Sequence, residues 1–321
     1  MSSVRAVRDS VLEIDNRSWL VADRLIISLQ PTAPSSGPFW SDGADAFYTI
    51  SELAGEHPLP PTCPLPSSSP VQLVHDAGDA NAAWRIGEAF LKVQTQFRPK
   101  CTREHATLDY LHDPSNNLEL TCSIPRVLYH HEFNERYYLI TTRVPGEPLE
   151  KAWPSMDEEA KQACVTQVVE ACKELARKEN DTICGVDGDE LSETWLTVSQ
   201  AAEQQYSHAA LLAACRALGM VETTFSLAHC DLGPMNVLVD LQNGSKVGII
   251  DWEMAGFVPK TWIRTKFRVC GAMNFDFAMG DEERAGDWRR RVQLHLAREG
   301  FPEVAEAWKR LFWEDWHARF G

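Results

Sequence analysis

Three side chains that could bind a metal ion and a hydroxyl group lie close together in the second half of the sequence. Asp231 and Asn236 belong to the stretch HCDLGPMN, and Asp251 follows an apolar run a few residues later. Between them, two short apolar runs flank Asn243-Gly244, and an Asn-Gly pair in this position favours a two-residue hairpin turn. A turn centred there predicts that residue 236 lies opposite residue 251, with both side chains on one face.

An amide oxygen and a carboxylate oxygen on one face can share a Mg²⁺ ion, whose ligands lie at about 2.0–2.1 Å. Asp231, on the loop before the hairpin, is placed to orient a hydroxyl group near that metal. Phosphoryl transfer requires these groups, together with a cation that binds the nucleotide phosphates. We therefore predict a phosphoryl-transfer site with Asp231 as the catalytic residue and with Asn236 and Asp251 as metal ligands. The alternative is an ordinary hairpin with polar ends.

Lys92 is the candidate for the phosphate-binding cation. It lies in residues 89–93, an apolar run that predicts a strand, and a lysine there is costly to bury unless it is paired. Glu104, which opens a predicted helix, is one possible partner, and Glu88 and Glu132 are two others. Kinases use such a lysine–glutamate pair to hold the α- and β-phosphates. The alternative is an edge-strand lysine whose amino group reaches solvent.

The same residues resemble the motifs of a known family. The pattern H-x-D-x4-N at residues 229–236, followed by IDWE at 250–253, is similar to that of the aminoglycoside phosphotransferase and choline kinase group of protein-kinase-like enzymes. Residues 250–259 resemble in particular a large fungal branch of this group, and residues 143–149 resemble the segment after the family's hinge. The resemblance extends roughly over residues 70–270.

The resemblance implies an α+β, bilobal protein-kinase-like fold, with a small antiparallel-sheet N-lobe and a mostly helical C-lobe. It implies ATP and Mg²⁺ as cofactors, and as acceptor a hydroxyl of a small molecule that bears an amine or comes from secondary metabolism. For the nucleotide, it implies that Lys92, supported by Glu104, binds the phosphates and that a hinge formed by Thr141, Thr142 and Arg143 contacts adenine. For the chemical step, it implies that Asp231 is catalytic and that His229 supports its loop. Asn236 and Asp251 are the implied Mg²⁺ ligands.

The sequence also departs from the patterns of related enzymes. Cys230 stands where glycine is frequent in the family, and the loop expected to cover the nucleotide, near residues 76–81, contains a single glycine. The HRD, DFG and APE motifs of protein kinases are absent, which argues against a protein substrate. A nucleophilic pair of Cys230 and His229 is disfavoured because adjacent loop residues rarely face each other.

The composition of the chain limits which partners and which cellular compartment we expect for the protein. The chain has 321 residues, enough for about two domains, and its net charge of −15 disfavours nucleic acids and anionic membranes as partners. Nine cysteines without a CxxC motif indicate reduced thiols. The first residues lack the apolar segment of a signal peptide, so the cytoplasm is the expected location. The sequence does not indicate an oligomeric state.

Three regions are predicted along the chain. Residues 1–70 form an N-terminal extension with a proline-rich connection, residues 71–145 the nucleotide-binding N-lobe, and residues 146–321 the C-lobe with the catalytic loop and substrate site. Within the extension, residues 9–29 predict one or two short helices. In the C-lobe, the pattern S-x-x-E at residues 155–158 predicts a capping box that opens a helix.

Two charged groups outside these motifs are candidates for substrate binding. A basic run could bind an anion, but we expect it to form a solvated face or to pair with acidic side chains: Lys260, Arg264, Lys266 and Arg268. An acidic group could bind an amine, but we expect it to form a solvated loop: Asp276, Asp281, Glu282 and Glu283.

Two alternatives to a small-molecule kinase remain open. The chain could be a kinase-like protein that has lost catalysis and binds nucleotides as a scaffold, or an enzyme that transfers another group. The complete set of Lys92, Asp231, Asn236 and Asp251 argues against lost catalysis.

Overall fold

The computed structural model describes residues 6–53, 58–95, 98, 100–197 and 206–320, without the side chains of residues 315, 316 and 318–320. The chain forms two compact units. The first consists of Met1–Pro99 and Pro125–Arg143, and the second of Lys100–Ile124 and Val144–Gly321. Within the described ranges, no helix has both the length and the apolar character needed to cross a lipid bilayer.

The first unit begins with a six-stranded antiparallel sheet. Its strands are β1 (Val11–Asp15), β2 (Ser18–Val21), β3 (Leu25–Gln30), β4 (Phe39–Ser41), β5 (Phe47–Glu52) and β6 (Cys63–Pro64), in the order β4-β5-β3-β2-β1-β6. The predicted helices at residues 9–29 are therefore wrong. Alternate residues such as Trp19, Leu25 and Ile27 are fully buried, because the strands turn one face toward a core shared with a second sheet.

The second sheet of this unit has five antiparallel strands. They are β7 (Val71–Asp76), β8 (Asn81–Ile86), β9 (Ala89–Thr95), β10 (Val127–Phe133) and β11 (Arg136–Thr142), in the order β10-β11-β9-β8-β7. The strands predicted near residues 71–75, 82–86 and 89–94 are confirmed. The two sheets share a core that contains Trp19, Trp40 and Trp84, so the predicted extension and the predicted N-lobe strands are packed together.

The turn between β8 and β9 is fixed by the first sheet. The indole Nε1 of Trp40 donates to Ile86 O at 2.7 Å, and the Glu88 N–H donates to Ser41 O at 3.0 Å. Gly87 has φ +59°, and a Cβ there would lie 2.6 Å from Ser41 O. This turn therefore requires glycine for both its conformation and its close backbone contact.

The α-helices formed by the described residues lie in the second unit. They are α1 (Glu104–His112), α2 (Leu149–Ala152), α3 (Glu158–Leu175), α4 (His208–Ala217), α5 (Lys260–Val269), α6 (Glu282–Ala285), α7 (Asp287–Arg298) and α8 (Ala305–Phe320). The capping box at residues 155–158 is wrong, because the carboxylate of Asp157 caps α3 by accepting from Ala160 N at 2.8 Å. The Ser155 hydroxyl instead donates to Ala152 O.

Two three-stranded antiparallel sheets complete the second unit. Their strands are β12 (Glu147–Pro148), β13 (Glu179–Asn180), β14 (Phe225–Ala228), β15 (Val237–Asp240), β16 (Lys246–Ile249) and β17 (Gly256–Val258), in the orders β12-β15-β16 and β13-β14-β17. Antiparallel sheets in the N-terminal part and mainly helices in the C-terminal part confirm the predicted α+β fold class.

Candidate active site

Two connections between the same pair of sheets carry the predicted catalytic side chains. The connection from β14 to β15 contains Asp231 and Asn236, and the connection from β16 to β17 contains Asp251. Because β14 pairs with β17 and β15 pairs with β16, both connections run between the same two sheets and lie side by side. A hydrogen bond joins them directly, since the Ile250 N–H donates to Asn236 O at 3.0 Å. The topology therefore brings the three residues into one region.

The register of the hairpin differs from the predicted one. Val237 pairs with Ile249, so Asn236 lies beside Ile250 and not opposite Asp251. The cause is the turn, which has five residues: a 3-10 turn at Leu241–Asn243 and then two residues with positive φ. A two-residue turn would shift the pairing by one position, and such a shift exchanges the two faces of a strand.

Asp231 and Asn236 are joined by their side chains. The amide Nδ2 of Asn236 donates to Asp231 O at 2.9 Å and to the carboxylate Oδ2 at 3.0 Å. Because the amide nitrogen is used in this way, Oδ1 is the atom that Asn236 can offer to a metal ion. The same bonds fix the orientation of the Asp231 carboxylate.

His229 supports the loop from the buried side. Its Nδ1 accepts the Asp231 N–H at 3.2 Å, so the proton lies on Nε2, which donates to Ile250 O at 3.0 Å. Its ring lies 4.5 Å from that of Trp252. Burial lowers the pKa of His229 to about 4, so the ring is neutral at physiological pH. His229 therefore links the Asp231 loop to the residue before Asp251.

The Asp231 carboxyl group lies in an environment that opposes its ionisation. Burial raises the pKa of Asp231 to about 6; the charge of Lys266 lowers it, and the charge of Asp251 raises it further. A carboxylate with such a pKa is a stronger base than an exposed one and still ionises near neutral pH. This is suitable for accepting a proton from a hydroxyl group.

Cys230 adopts a backbone conformation that glycine takes more readily than other residues. Its φ is +64°, in the left-handed region that side chains other than glycine disfavour. Burial raises the pKa of its thiol well above the ordinary value, so the sulfur remains protonated. The structure therefore gives no support to a Cys230 nucleophile.

Two helices hold the loop that carries Asp231. The Trp288 indole Nε1, on α7, donates to Leu232 O at 2.9 Å. The Glu150 N–H, on α2, donates to Pro234 O at 3.1 Å. The loop backbone is thus fixed by two helices that are distant in sequence.

A cluster of carboxylates surrounds Asp251. One oxygen from each of Glu104, Asp251 and Glu253 lies within 4.8 Å of the others. Asp251 has φ +65°, and the following Trp252 N–H donates to Glu104 Oε1 at 3.1 Å. Oxygen ligands of this kind are those that Mg²⁺ prefers, so the residues fit a metal ion. Sequence reasoning missed Glu253, although its position in the IDWE motif was a signal.

Lys92 and Glu104 belong to different units of the structure. Lys92 lies in the middle of β9, partly buried, between Ala83 on β8 and Leu139 on β11. Glu104 opens α1 in the second unit and contacts the Trp252 backbone. The pairing of the two side chains remains a prediction.

The predicted hinge residues lie at the end of β11. The N–H groups of Thr142 and Arg143 donate to Arg126 O at 2.9 Å and to Glu88 O at 2.8 Å. The Arg143 guanidinium also binds the Glu88 carboxylate at 3.0 and 3.2 Å. Since these two N–H groups are used, backbone contacts of Thr142 and Arg143 with adenine would come from their carbonyl groups.

The basic run on α5 pairs with acidic and backbone groups, as expected. Arg268 binds Glu303 at 2.9 Å, and Arg264 donates to Phe301 O at 3.2 Å. Lys266 is buried and binds both carboxylate oxygens of Glu193. An anion-binding role for this run is therefore not supported.

Comparison with solved structures identifies several aminoglycoside phosphotransferases. APH(3'')-Id from Streptomyces rimosus ATCC10970 is similar with a TM-score of 0.46 and 16% identity, over 76% of this chain and 92% of that chain. A thermostable mutant of APH(4)-Ia is similar with a TM-score of 0.43 and 20% identity, over 78% and 95%. The aminoglycoside-3'-phosphotransferase of type VIII has a TM-score of 0.43 and 16% identity, over 75% and 91%.

Comparison at the level of sequence gives the assignment. A search of curated proteins finds no match. The sequence profile of the Phosphotransferase enzyme family (APH) matches residues 75–259, which include both connections of the site and more than half of the chain. The chain therefore belongs to the phosphotransferase enzyme family.

Proposed function

We propose that this small-molecule kinase transfers the γ-phosphate of ATP, with Mg²⁺, to a hydroxyl group of an amine-bearing or secondary-metabolite acceptor. The observation that carries the proposal is the bond from Asn236 Nδ2 to the Asp231 carboxylate, on a connection that is hydrogen-bonded to the residue before Asp251. It joins a candidate base to a candidate metal ligand, as phosphoryl transfer requires.

In this proposal Asp231 accepts the proton of the acceptor hydroxyl as the hydroxyl oxygen attacks the γ-phosphorus; the bond from that phosphorus to the β-phosphate oxygen breaks, and ADP leaves. Asn236 holds the carboxylate in one orientation, and His229 holds the backbone of the loop. Asn236 and Asp251 would hold Mg²⁺, which when bound neutralises charge on the phosphate oxygens. The sequence resemblance supports the further roles of Lys92 and Glu104 at the phosphates and of residues 141–143 at adenine.

The proposal also assigns roles to the predicted regions. Residues 71–145 form the nucleotide-binding lobe, and residues 146–321 provide the catalytic loop and the acceptor site. The region before them, 1–70, adds a sheet that shares a core with the strands of the nucleotide-binding lobe.

An acidic segment near the catalytic loop supports an amine-bearing acceptor. The Phe277 N–H donates to Glu150 Oε1 at 2.9 Å, and Glu150 is itself bound to Pro234 of the loop. Phe277 and Met279 are exposed there, together with four acidic side chains. Asp281 caps α6, which leaves three of these acids available to a cation: Asp276, Glu282 and Glu283.

A screen for product tests the proposal. The protein is incubated with ATP and Mg²⁺ and with single acceptors from four classes: an aminoglycoside, a choline-like amine, a sugar and an apolar alcohol. We expect one class to give ADP together with an acceptor that has gained one phosphoryl group, detected by mass spectrometry. Chelation of Mg²⁺ should abolish the product. Absence of product for every class, with nucleotide still bound, would instead favour a scaffold that has lost catalysis.

A further inference from the structure

A buried ion pair lies on the protein side of the catalytic loop. Lys266 Nζ, on α5, binds Glu193 Oε1 at 2.7 Å and Oε2 at 2.8 Å, and the two side chains are 3% and 0% exposed. Glu193 Oε1 also accepts the Trp195 N–H at 2.9 Å. Lys266 follows Trp262 by four residues and Ile263 by three, so it lies on the same buried face of α5. Apolar side chains usually occupy such a face.

Stability alone is a weak explanation for a buried ion pair. The desolvation of two charges often exceeds their mutual attraction, and apolar residues of similar volume frequently stabilise a protein as well or better. A buried charged group beside a site is therefore a candidate for a functional role. The position of Lys266 indicates which role.

Lys266 and the catalytic residue line the same small cavity. The cavity, whose walls also include His229, Cys230 and Trp262, has a volume of about 20 Å³, and a buried water needs roughly 10–15 Å³. Among the charged groups that act on Asp231, Lys266 exerts the strongest effect and attracts it, whereas Asp251 and the nearby glutamates repel it. Residues 229–236 contain no lysine or arginine.

Trp262 provides a second observation at this cavity. Its indole Nε1 is fully buried and has no hydrogen-bond partner among the residues that the structure describes. Unpaired buried donors are rare, and an ordered water usually satisfies them. The cavity walls are mainly apolar, and a water held there could accept from Trp262 Nε1 and donate to a neighbouring oxygen.

We propose that Lys266 is a positioning residue for phosphoryl transfer: held by Glu193, its charge draws the Asp231 carboxylate into place across a cavity that contains a water bound to Trp262. This inference rests on the proposed catalytic role of Asp231. In this proposal Lys266 on α5 provides the positive charge that residues 229–236 of the catalytic loop do not contain.

Two single variants and one double variant test whether Lys266 positions the Asp231 carboxylate or only stabilises the folded protein. Lys266→Met and Glu193→Gln both break the ion pair, and both should lower the melting temperature. In Lys266→Met/Glu193→Gln no buried charge is left unpaired, so the melting temperature should return close to that of the wild type. Turnover is measured at a temperature where all variants are folded.

Positioning predicts a specific pattern of turnover. Lys266→Met and the double variant should lose kcat about 100-fold, the effect of misplacing a reacting group by about 1 Å, with KM for ATP nearly unchanged. Glu193→Gln keeps the Lys266 cation, so the Asp231 carboxylate should stay in place and kcat should remain within about threefold of the wild-type value. Equal losses in the two single variants, or full recovery of kcat in the double variant, would overturn the proposal.

Crystal structures of the wild type and the double variant provide a readout that does not depend on activity. We expect a water within hydrogen-bond distance of Trp262 Nε1 in the wild type, and loss of the Asn236–Asp231 side-chain bond in the double variant. An unchanged Asp231 carboxylate in the double variant would contradict the proposal. If the wild type shows no turnover with any acceptor, the proposed function fails, and this structural comparison still decides the positioning role.

Discussion

Replacing Asp231 with asparagine is expected to remove most of the phosphoryl transfer and, at neutral pH, to stabilise the folded protein. The loss of activity follows from its proposed role as the base: general-base catalysis contributes about 10²–10⁴-fold, so kcat should fall within that range. Asparagine has nearly the same shape, and its side-chain oxygen can still accept the bond from Asn236.

The gain in stability follows from the raised pKa of Asp231. Its folded value is about 6 and its ordinary value 3.8, so the folded state favours the neutral form. The resulting stabilisation is fully present below pH 3.8 and is lost as the pH rises through 6. A difference of about two units corresponds to roughly 3 kcal/mol, which Asp231→Asn should recover at pH 7.5 but not at pH 4.

Chemical denaturation of the two proteins at pH 7.5 and at pH 4, without metal, measures this difference. Asp109→Asn is a matched control, because Asp109 is exposed on α1 and its replacement should change neither kcat nor stability. An Asp231→Asn protein that is less stable than the wild type at pH 7.5, or one that keeps full turnover, would contradict the assignment.

Replacing His229 with leucine is expected to cause a large loss of stability. His229 is buried and bonds to both the Asp231 N–H and Ile250 O. Leucine leaves both groups unpaired, and each buried unpaired group costs about 1–3 kcal/mol, so the total loss should be roughly 2–6 kcal/mol. Turnover should fall as well, because the same bonds place the Asp231 loop beside the connection to Asp251.

The pH dependence of stability distinguishes His229 from Asp231. The folded pKa of His229 is about 4 and its ordinary value 6.5, so its contribution is present above pH 6.5 and is lost as the pH falls through 4. This loss amounts to roughly 3 kcal/mol and is opposed in the wild type by the gain from Asp231. Asp231→Asn should therefore show a steeper loss on acidification, and His229→Leu a shallower one.

Urea denaturation of the three proteins between pH 4 and pH 7 gives these slopes, since all other groups titrate alike in each. His229→Gln is the conservative comparison, because its amide can still donate to Ile250 O, and it should lose less stability than His229→Leu. Parallel pH profiles for all three proteins would show that neither group has the shifted pKa on which the argument rests.

The local chemistry of the site could be predicted from sequence because it lies in one short segment. Asp231, Asn236 and Asp251 follow one another closely along the chain, and strand, turn and strand signals between them predict their proximity. The exact pairing could not be predicted, because Asn243-Gly244 suits both a two-residue turn and the longer turn that is observed. The observed turn ends at Ser245, which adopts a positive φ of 57° that is uncommon outside glycine.

The N-terminal sheet and the buried ion pair could not be predicted from local patterns in the sequence. Segments such as Val11–Asp15, in which acidic residues interrupt the apolar ones, fit a helix or a strand. The strand is stabilised by a core that Val11 shares with residues of β8 and β9, which come much later in the sequence. Glu193 and Lys266 are also distant in sequence, so no spacing rule connects them. One signal was present: Lys266 occupies the apolar face of a helix, where a lysine needs a buried partner.

The most direct test of the proposed kinase site is thermal unfolding with ATP, with and without Mg²⁺, of the wild type and of Asp251→Asn. Asparagine tolerates the left-handed conformation of residue 251, so this variant should fold. ATP at about a hundred times its Kd should stabilise the wild type by roughly 2.7 kcal/mol. We predict an increase in Tm that requires Mg²⁺ and is absent in Asp251→Asn. No increase with any nucleotide, or an equal increase in the variant, would contradict a metal–nucleotide site at Asp251.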